Sequence, residues 1–344
     1  MNTPNSLLIR RSRRSSKLSF VVLGLVAVGL VLMPYIVYQS VTSSMVMLFV
    51  LIIISSMWNL LAGFGGLVSI GQQAYIGIGA YTVIVMADLG VPPLLGVFFG
   101  ALTSAILALP TSWLAFRLRG DYFAVGTWVI AEVYRLIMIK FDFVGGADGK
   151  SLVGLSGIDP VTRSAITYWF ALGIAIVTVL ACFWLLRSRI GLALTAIRDD
   201  EVSARAGGID ATRIKRIVYL VSAAGCGLAG GVLVVDALRV QPDAIFNVSW
   251  SAYMIFIVII GGIGYLEGPI IGAIVFFAMQ QLLADMGTWY LMLLGALAIV
   301  AAAWFPNGLW GTFSEKTGFR LFPIGYYVAE RFGVAVDTRT IRVQ

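Results

Sequence analysis

Glu132 and Arg135 stand three positions apart inside an otherwise apolar run, which makes them the most unusual charged pair in this sequence. Residues at that spacing share one face of a helix and can neutralise each other. A charge at membrane depth is costly and normally faces a cavity or a partner, so the pair is a candidate for lining a translocation path. An ion pair that fixes one helix to another explains the same residues equally well.

The other residues that could do chemistry argue against an enzyme. Histidine is absent from the sequence, which removes the most versatile acid–base group and the commonest metal ligand. The acidic residues 199–201 would point to different faces of a helix, so no metal site is expected. Cys182 and Cys226 lie in apolar runs, where packing is their expected role. The run Val144–Ser151 approaches a phosphate-binding loop but lacks its first glycine, so neither an ATP site nor a cofactor is expected.

A glycine-rich run from Asn59 to Tyr81 combines irregular backbone with polar side chains, because its six glycines disfavour a continuous helix. Irregular backbone survives in a bilayer only when it is buried in protein or lines a water-filled cavity. Transporters use such breaks to present polar groups to a solute. The candidates for lining a path are Asn59, Ser69, Gln72, Gln73 and Tyr75. Tight packing at Gly77 and Gly79 is the alternative, but it does not explain the two adjacent glutamines.

A second glycine-rich interruption occupies residues 261–269, in the other half of the chain. Interrupted helices in both halves are weakly indicative of a translocation path between them.

The composition requires a membrane protein. Of the 344 residues, 60% are hydrophobic and only 12% are charged, and mean hydropathy is +0.94. A soluble domain of this length needs more surface charge. Apolar stretches of roughly twenty residues cross a bilayer as helices. We therefore predict an all-α polytopic fold with about ten spans, eight at the fewest, over residues 18–38, 45–61, 66–87, 94–116, 122–139, 166–186, 217–238, 248–263, 268–284 and 288–305.

The distribution of charge predicts the orientation and the domain boundaries. With the amino terminus in the cytoplasm, most of the 24 lysines and arginines fall on the cytoplasmic side, as the positive-inside rule requires. Both termini are then cytoplasmic. The prediction is a basic tail over residues 1–17, one transmembrane domain over 18–305 and a cytoplasmic tail over 306–344. Basic residues at the ends of spans indicate contact with lipid, so the net charge of +7 does not predict binding to nucleic acid.

The longest charged loop, residues 187–216, is predicted to contain an amphipathic helix over 192–206. Alanines favour this helix, and Gly207–Gly208 would end it. Small residues mixed with charges of both signs suit a groove in another protein better than a lipid surface.

The block Glu201–Ile209 resembles the EAA-type loop of ABC importer permeases, in the variant found in branched-chain amino acid systems. Five further blocks carry the same resemblance in the expected order: residues 59–81, 118–124, 191–198, 225–231 and 261–269. The Leu-Arg-Gly-Asp-Tyr-Phe run at 118–123 is similar to the LivM-type partner of two unlike permeases. Two features depart from the family: small residues at Ala206–Gly207, and a tail after Phe313 without a counterpart.

This resemblance implies a five-part importer in a bacterial inner membrane. Two ATP-binding subunits would hold the ATP, a second permease subunit would share the path, and a periplasmic binding protein would deliver leucine, isoleucine or valine. The residues implied in coupling to the ATP-binding subunits are Arg198, Glu201, Ala204, Gly208 and Ile209. A permease for urea or short-chain amides, from the same family, is the main alternative, and a secondary transporter is a further one.

Overall fold

The computed structural model describes residues 8–10, 24, 29–118, 120–155, 157, 159–283, 289–305, 307–317, 321–322 and 327–329. Its helices, in chain order, are α1 Gln39–Gly65, α2 Gln73–Asp88, α3 Pro93–Ala115, α4 Asp121–Ile139, α5 Pro160–Arg187, α6 Arg189–Asp199, α7 Glu201–Ala206, α8 Ala211–Ala237, α9 Pro242–Ile245, α10 Ser249–Gly261, α11 Gly268–Leu283, α12 Trp289–Trp304 and α13 Gly308–Thr317. The strands are β1 Leu8–Arg10, β2 Lys150–Ser151, β3 Arg239–Val240 and β4 Tyr327–Ala329.

Helices dominate the described residues, which confirms the prediction of an all-α polytopic membrane protein. The strands form only two short antiparallel ladders, β1 with β4 and β2 with β3. Six segments of the described residues are long and apolar enough to cross a bilayer: α1, α3, α4, α5, α8 and the combined segment 242–261. The predicted count of about ten spans is therefore not confirmed. Residues 29–36 are helical, but most of the predicted span 18–38 lies outside the described residues.

The predicted third span, residues 66–87, is not a full-length helix. Helix α1 continues past the predicted end at residue 61 and stops at Gly65, because Gly66 adopts a left-handed conformation with φ 65°. Residues 66–72 are not helical, and α2 then has 16 residues, an axial length of about 24 Å against a hydrocarbon core of about 30 Å. The glycine-rich run is thus broken as predicted, but its helix is short.

The other predicted boundaries shift where a local cap or break controls them. Helix α5 begins at Pro160 and not at residue 166, because the Asp159 carboxylate accepts hydrogen bonds from the backbone of Val161 and Thr162. The predicted span 248–263 is preceded by the separate short helix α9. Residues 284–288, between α11 and α12, lie outside the described part.

Helix α1 lies at the centre of the bundle, since 89% of the residues in its apolar 18-residue stretch are buried. It packs against α5, α8, α10 and α11. Helices α3 and α4 are more exposed, with 33% and 17% of the residues in the corresponding stretches buried. In a bilayer the exposed apolar side chains of these two helices would contact lipid or another subunit.

Glycines hold α2, α3 and α8 unusually close together. A methyl group on Gly79 would overlap the Gly227 carbonyl of α8, and one on Gly230 would overlap the Ile76 carbonyl of α2. Gly100 of α3 approaches the backbone of Gly79 in the same way. Backbones that approach this closely are typical of helix packing in membranes. The hydrophobic effect does not drive helices together there, and small residues allow the close van der Waals contact that does. These three helices therefore form one packed block.

The two ends of the bundle are chemically distinct. The basic end contains residues 187–216 and the carboxyl end of α1, which meet through a hydrogen bond from Arg198 to the Gly63 carbonyl. The loop end contains the β2–β3 ladder and an ion pair of 2.6 Å between Lys150 and Asp88, at the end of α2. The break at residues 66–72 lies nearer the basic end, because it directly follows the carboxyl end of α1. Helix α2 then runs from the break to the loop end.

Replacing Gly230 with alanine should destabilise the protein, because the new methyl group would overlap the Ile76 carbonyl. Overpacking of this kind costs about 1–3 kcal/mol. The matched control is Gly173→Ala in the exposed face of α5, where nothing lies within 4 Å. Thermal unfolding of the two variants in detergent should show a lower midpoint for Gly230→Ala only. Equal midpoints would contradict the close packing of α2 and α8.

Candidate translocation and coupling site

The break between α1 and α2 is held by local hydrogen bonds. The Trp58 indole N–H donates to the Ser69 carbonyl at 2.8 Å. The Ser69 hydroxyl accepts from the Gly71 backbone at 3.3 Å and from the Gln72 side chain at 3.4 Å. These contacts supply partners inside the protein for polar groups of the irregular backbone, as such backbone requires at membrane depth.

The predicted polar residues connect α2 to the second half of the chain. The Gln72 side-chain oxygen accepts from the Ser222 hydroxyl and the Cys226 thiol of α8, at 3.3 and 3.4 Å. The Gln73 side-chain oxygen accepts from the Ser251 hydroxyl of α10. The hydroxyl of Tyr75 donates to that of Tyr219 at 2.9 Å, also on α8. These predicted residues and Ser69 are fully buried. They account for the adjacent glutamines as cross-links between helices, and a role in contacting solute stays a prediction.

Helix α4 lies directly against the break. The Thr127 hydroxyl accepts a hydrogen bond of 3.1 Å from the Ile70 backbone N–H. Gly71 approaches the Thr127 carbonyl so closely that no side chain could be accommodated. Thr127 was not predicted as a site residue, because a threonine in an apolar helix carries no distinctive signal in the sequence.

Asn59 joins the two glycine-rich interruptions. Its side-chain amide donates to the Tyr265 carbonyl at 2.8 Å, and its side-chain oxygen accepts from the Gly264 backbone N–H at 2.9 Å. Gly264 has φ 77°, a conformation that favours glycine. Asn59 is 1% exposed, so both hydrogen bonds lie inside the protein. Asn59 is therefore a clamp between the halves of the chain, and a role in lining a path stays a prediction.

Arg198 connects α6, at the basic end, to the last turn of α1. Its guanidinium donates to the Gly63 carbonyl at 2.8 Å and forms an ion pair of 2.9 Å with Asp199. Leu194, one turn earlier on α6, is fully buried and contacts Gly65. A displacement of α6 would therefore act on the last turn of α1, immediately before the break.

The predicted helix over residues 192–206 is two helices, α6 and α7. They separate at Asp200, which has extended backbone with φ −157° and caps α7 by accepting from the Val202 and Ser203 backbone. The Ser203 hydroxyl and these N–H groups hold the pKa of the Asp200 carboxyl below its usual value. A carboxylate at this position caps a new helix more favourably than it continues the old one. Helix α7 ends at Ala206, where the sequence predicts a stop.

Charges fix α7 to the start of α8. Glu201 accepts from Lys215 at 2.5 Å and from Arg205 at 2.7 Å. Lys215, and then Arg205, hold the pKa of the Glu201 carboxyl below its usual value, against the opposing effect of partial burial. These contacts are complete at neutral pH and are lost as pH falls through the lowered pKa. No group of three potential metal ligands occurs among the described residues.

The remaining predicted coupling residues lie on different surfaces. Ala204 is buried in a small apolar cluster with Ile197 and Ala211, and Ile209 packs against that cluster. Gly208 has φ 85°, with open space around it. Ala204 and Ile209 thus position α7, whereas Gly208 provides an exposed turn.

Arg135 binds two carboxylates at the loop end. Its Nε and Nη2 atoms donate to Glu132 on the same helix, and its Nη1 atom donates to Asp243 on α9. The ion pair thus fixes α4 to α9, as one of the two interpretations from the sequence predicted. The sequence analysis missed Asp243, because an acidic residue after a proline at a helix start is also an ordinary capping pattern. The side chains of Glu132 and Asp243 are 44% and 77% exposed, so they require a neighbouring environment more polar than lipid.

A cavity of about 740 Å³ opens at the basic end. It lies between the first residues of the break, the turn that joins α3 to α4, helix α7 and the start of α8. The lining includes Gly66, Val68, Asp121, Ala124, Glu201, Val202 and Lys215. The cavity therefore brings the break, the peripheral helix α4 and the predicted coupling segment to one surface.

Comparison with known proteins gives the family. Residues 40–302 match the family described as "Branched-chain amino acid transport system / permease component". The chain belongs to this family. It is an ABC-transporter permease, a transport component and not an enzyme, as the sequence analysis predicted.

The relatives include amino acid and sugar permeases. The chain is 29% identical to the high-affinity branched-chain amino acid transport system permease protein LivM of Salmonella typhimurium, over 80% of this chain and 71% of the relative. The Escherichia coli LivM is 28% identical over the same shares. The fructose import permease protein FrcC of Rhizobium meliloti is 27% identical, over 62% of this chain and 63% of the relative. No solved structure matches.

Replacing Asn59 with leucine should destabilise the protein and separate the two interruptions, because it removes the hydrogen bonds that Asn59 makes with Gly264 and Tyr265. Each hydrogen bond contributes about 0.5–1.5 kcal/mol net. The matched control is Ser56→Ala on the same helix, since the buried Ser56 hydroxyl makes no hydrogen bond within the described part of the chain. Thermal unfolding and limited proteolysis near residue 265 should change for Asn59→Leu only. Equal effects of both substitutions would exclude the clamp.

Proposed function

We propose that this chain is a permease subunit of an importer for branched-chain amino acids, driven by separate ATP-binding subunits. Membership of the family makes the chain an ABC-transporter permease. The observation that supports ATP coupling is the contact of Arg198 with the Gly63 carbonyl, because it links a charged exterior segment to the broken helix. In this proposal the basic end is cytoplasmic, as are both termini.

Coupling would pass through rigid contacts rather than through a flexible loop. The ATP-binding subunits would hold α6 and α7, and ATP-driven closure would displace these helices. Arg198 and Leu194 would transfer the displacement to the last turn of α1. Asn59 would extend it to residues 264–265, so that both interruptions would move together.

The path would run along the seam between α2 and α4. Helix α4 contributes to the cavity at the basic end, to the contact between Thr127 and the break, and to the Arg135 cluster at the loop end. A second permease subunit would cover the exposed side of α4, and a periplasmic binding protein would deliver solute at the loop end. The predicted lining residues Gln72, Gln73 and Tyr75 would act by holding α2 in place while its neighbours move.

The substrate proposal rests on the two LivM relatives, whose names specify branched-chain amino acids. A permease for urea or short-chain amides would use the same fold, and the sugar permeases among the relatives show how widely substrates vary. A secondary transporter is disfavoured, because it has no need for a docking segment such as α6–α7.

ATP-dependent uptake tests the proposal directly. The chain should be co-purified with the permease, ATP-binding and solute-binding proteins encoded beside it, and reconstituted in proteoliposomes. We expect uptake of labelled leucine only when all partners and ATP are present. Leucine transport by the isolated chain in response to an ion gradient would refute the proposal, and ATP-driven uptake of urea without leucine would refute the amino acid assignment.

Val202 provides a sharper test of the docking surface, because its side chain is 78% exposed on α7. Val202→Glu should weaken association with the ATP-binding subunits and reduce uptake, since an added charge opposes burial in a protein groove. It should leave the unfolding midpoint of the chain unchanged. The control is Val153→Glu in the loop before α5, where the side chain is 58% exposed at the opposite end. Normal co-purification of Val202→Glu with the ATP-binding subunits would contradict docking at α7.

A further inference from the structure

The Arg135 cluster contains one exchangeable contact. Glu132 accepts from Nε and Nη2 of Arg135 and belongs to the same helix, so it fixes the orientation of the guanidinium. Asp243 accepts from Nη1 and belongs to α9. Its side chain is 77% exposed, against 24% for Arg135. An anion that arrives from the loop end can therefore displace Asp243 from Nη1 while Glu132 keeps Arg135 in place.

The cluster also has the charges that a zwitterion requires. Glu132, Arg135 and Asp243 together carry one net negative charge. If a carboxylate binds Nη1, Asp243 is left free beside it to accept hydrogen bonds from an ammonium group. Charge-assisted hydrogen bonds of both kinds are about twice as strong as neutral ones. The groups of an α-amino acid are attached to one carbon, which matches two protein charges that are themselves in hydrogen-bond contact.

A buried hydroxyl without a partner occurs beside α9. Tyr81 is 1% exposed, and its hydroxyl has no hydrogen-bond partner among the described residues. Its ring stacks on Phe246, three residues after Asp243. A buried hydroxyl without a partner is costly, so this part of the protein favours a further polar group.

The position suits an entry site. Glu132 lies seven residues before the end of α4, about 10 Å along the helix axis. The Phe246 ring, at the end of α9, is buried and packs against Gly77 of α2. A solute bound at Arg135 would therefore lie near the loop end of α4, beside this packed ring.

We propose that Arg135 and Asp243 form an entry site for a zwitterionic α-amino acid, in which Arg135 binds the carboxylate and Asp243 binds the ammonium group. This inference rests on the proposed function and specifies its substrate class. Urea and short-chain amides carry no charge that could replace Asp243 on Arg135, so the site disfavours them. Glu132 is a positioning residue in this arrangement.

The test is binding to the assembled complex in lipid nanodiscs, without the solute-binding protein, which would otherwise select the ligand. The probes are L-leucine, L-leucinamide without the carboxylate, 4-methylpentanoate without the ammonium group, and urea. We expect L-leucine to bind on the order of tenfold more tightly than either charged analogue, because each lacks one charge-assisted contact. Urea should not bind.

Substitutions separate recognition from a structural role. Asp243→Asn should abolish the preference for L-leucine over 4-methylpentanoate, and Arg135→Gln should abolish the preference over L-leucinamide. Loss of an interhelical contact alone would weaken all ligands equally, and that result would overturn the proposal. The control is Asp88→Asn, which removes the other ion pair of the loop end and should retain both preferences. Asp243→Glu should preserve discrimination if Asp243→Asn proves unstable.

ATP-dependent uptake by the same preparations distinguishes failure of the entry site from failure of the proposed transport function. If the complex imports leucine but binds all four probes alike, the entry site is excluded and the transport function stands. If the complex imports no amino acid with ATP, the proposed function itself fails.

Discussion

The pair of hydrogen bonds that joins the Asn59 side chain to the backbone of Gly264 and Tyr265 is the constraint on which the architecture depends. A membrane interior offers no water to satisfy backbone groups, so a broken helix needs a partner within the protein. Here one amide side chain supplies both a donor and an acceptor to a segment more than 200 residues away. It thereby makes the two irregular segments support each other, and Arg198 attaches the exterior helix α6 beside them.

Much of this arrangement could be predicted from the sequence, because membrane helices obey a strong rule of apolar length. Composition and charge were sufficient to predict the all-α fold and the charged segment at residues 187–216. The glycine-rich run indicated a break, since glycine disfavours helix. The sequence did not indicate that α1 extends to Gly65 or that Asp200 divides the coupling segment, because both outcomes depend on single capping contacts. Whether such a capping contact forms depends on which neighbouring groups bind the free backbone N–H and carbonyl groups of the helix end. Composition does not reveal this.

The sequence identified polar residues that make buried contacts, but it did not identify the partners of those contacts. Asn59, Gln72 and Gln73 were singled out because polar groups are costly in an apolar run, and they do make buried contacts. Their partners lie far along the chain, so their identity depends on the tertiary fold. Asp243 was missed for the same reason: only the folded chain brings it to Arg135. Buried polarity is thus visible in a sequence, whereas the pairs that neutralise it are not.

Helix α4 is held differently at its two levels. Near the break it is attached by a buried backbone-to-hydroxyl contact at Thr127, and at the loop end by an exposed ion pair with Asp243. Dissolved salt screens exposed charges and has little effect on buried hydrogen bonds. The ionic strength of the medium at the loop end therefore weakens the attachment of α4 to α9. The hydrogen bonds of α4 to the break at Thr127 and to α3 through Tyr134 are not affected in this way, so the surroundings act on the α4–α9 contact selectively.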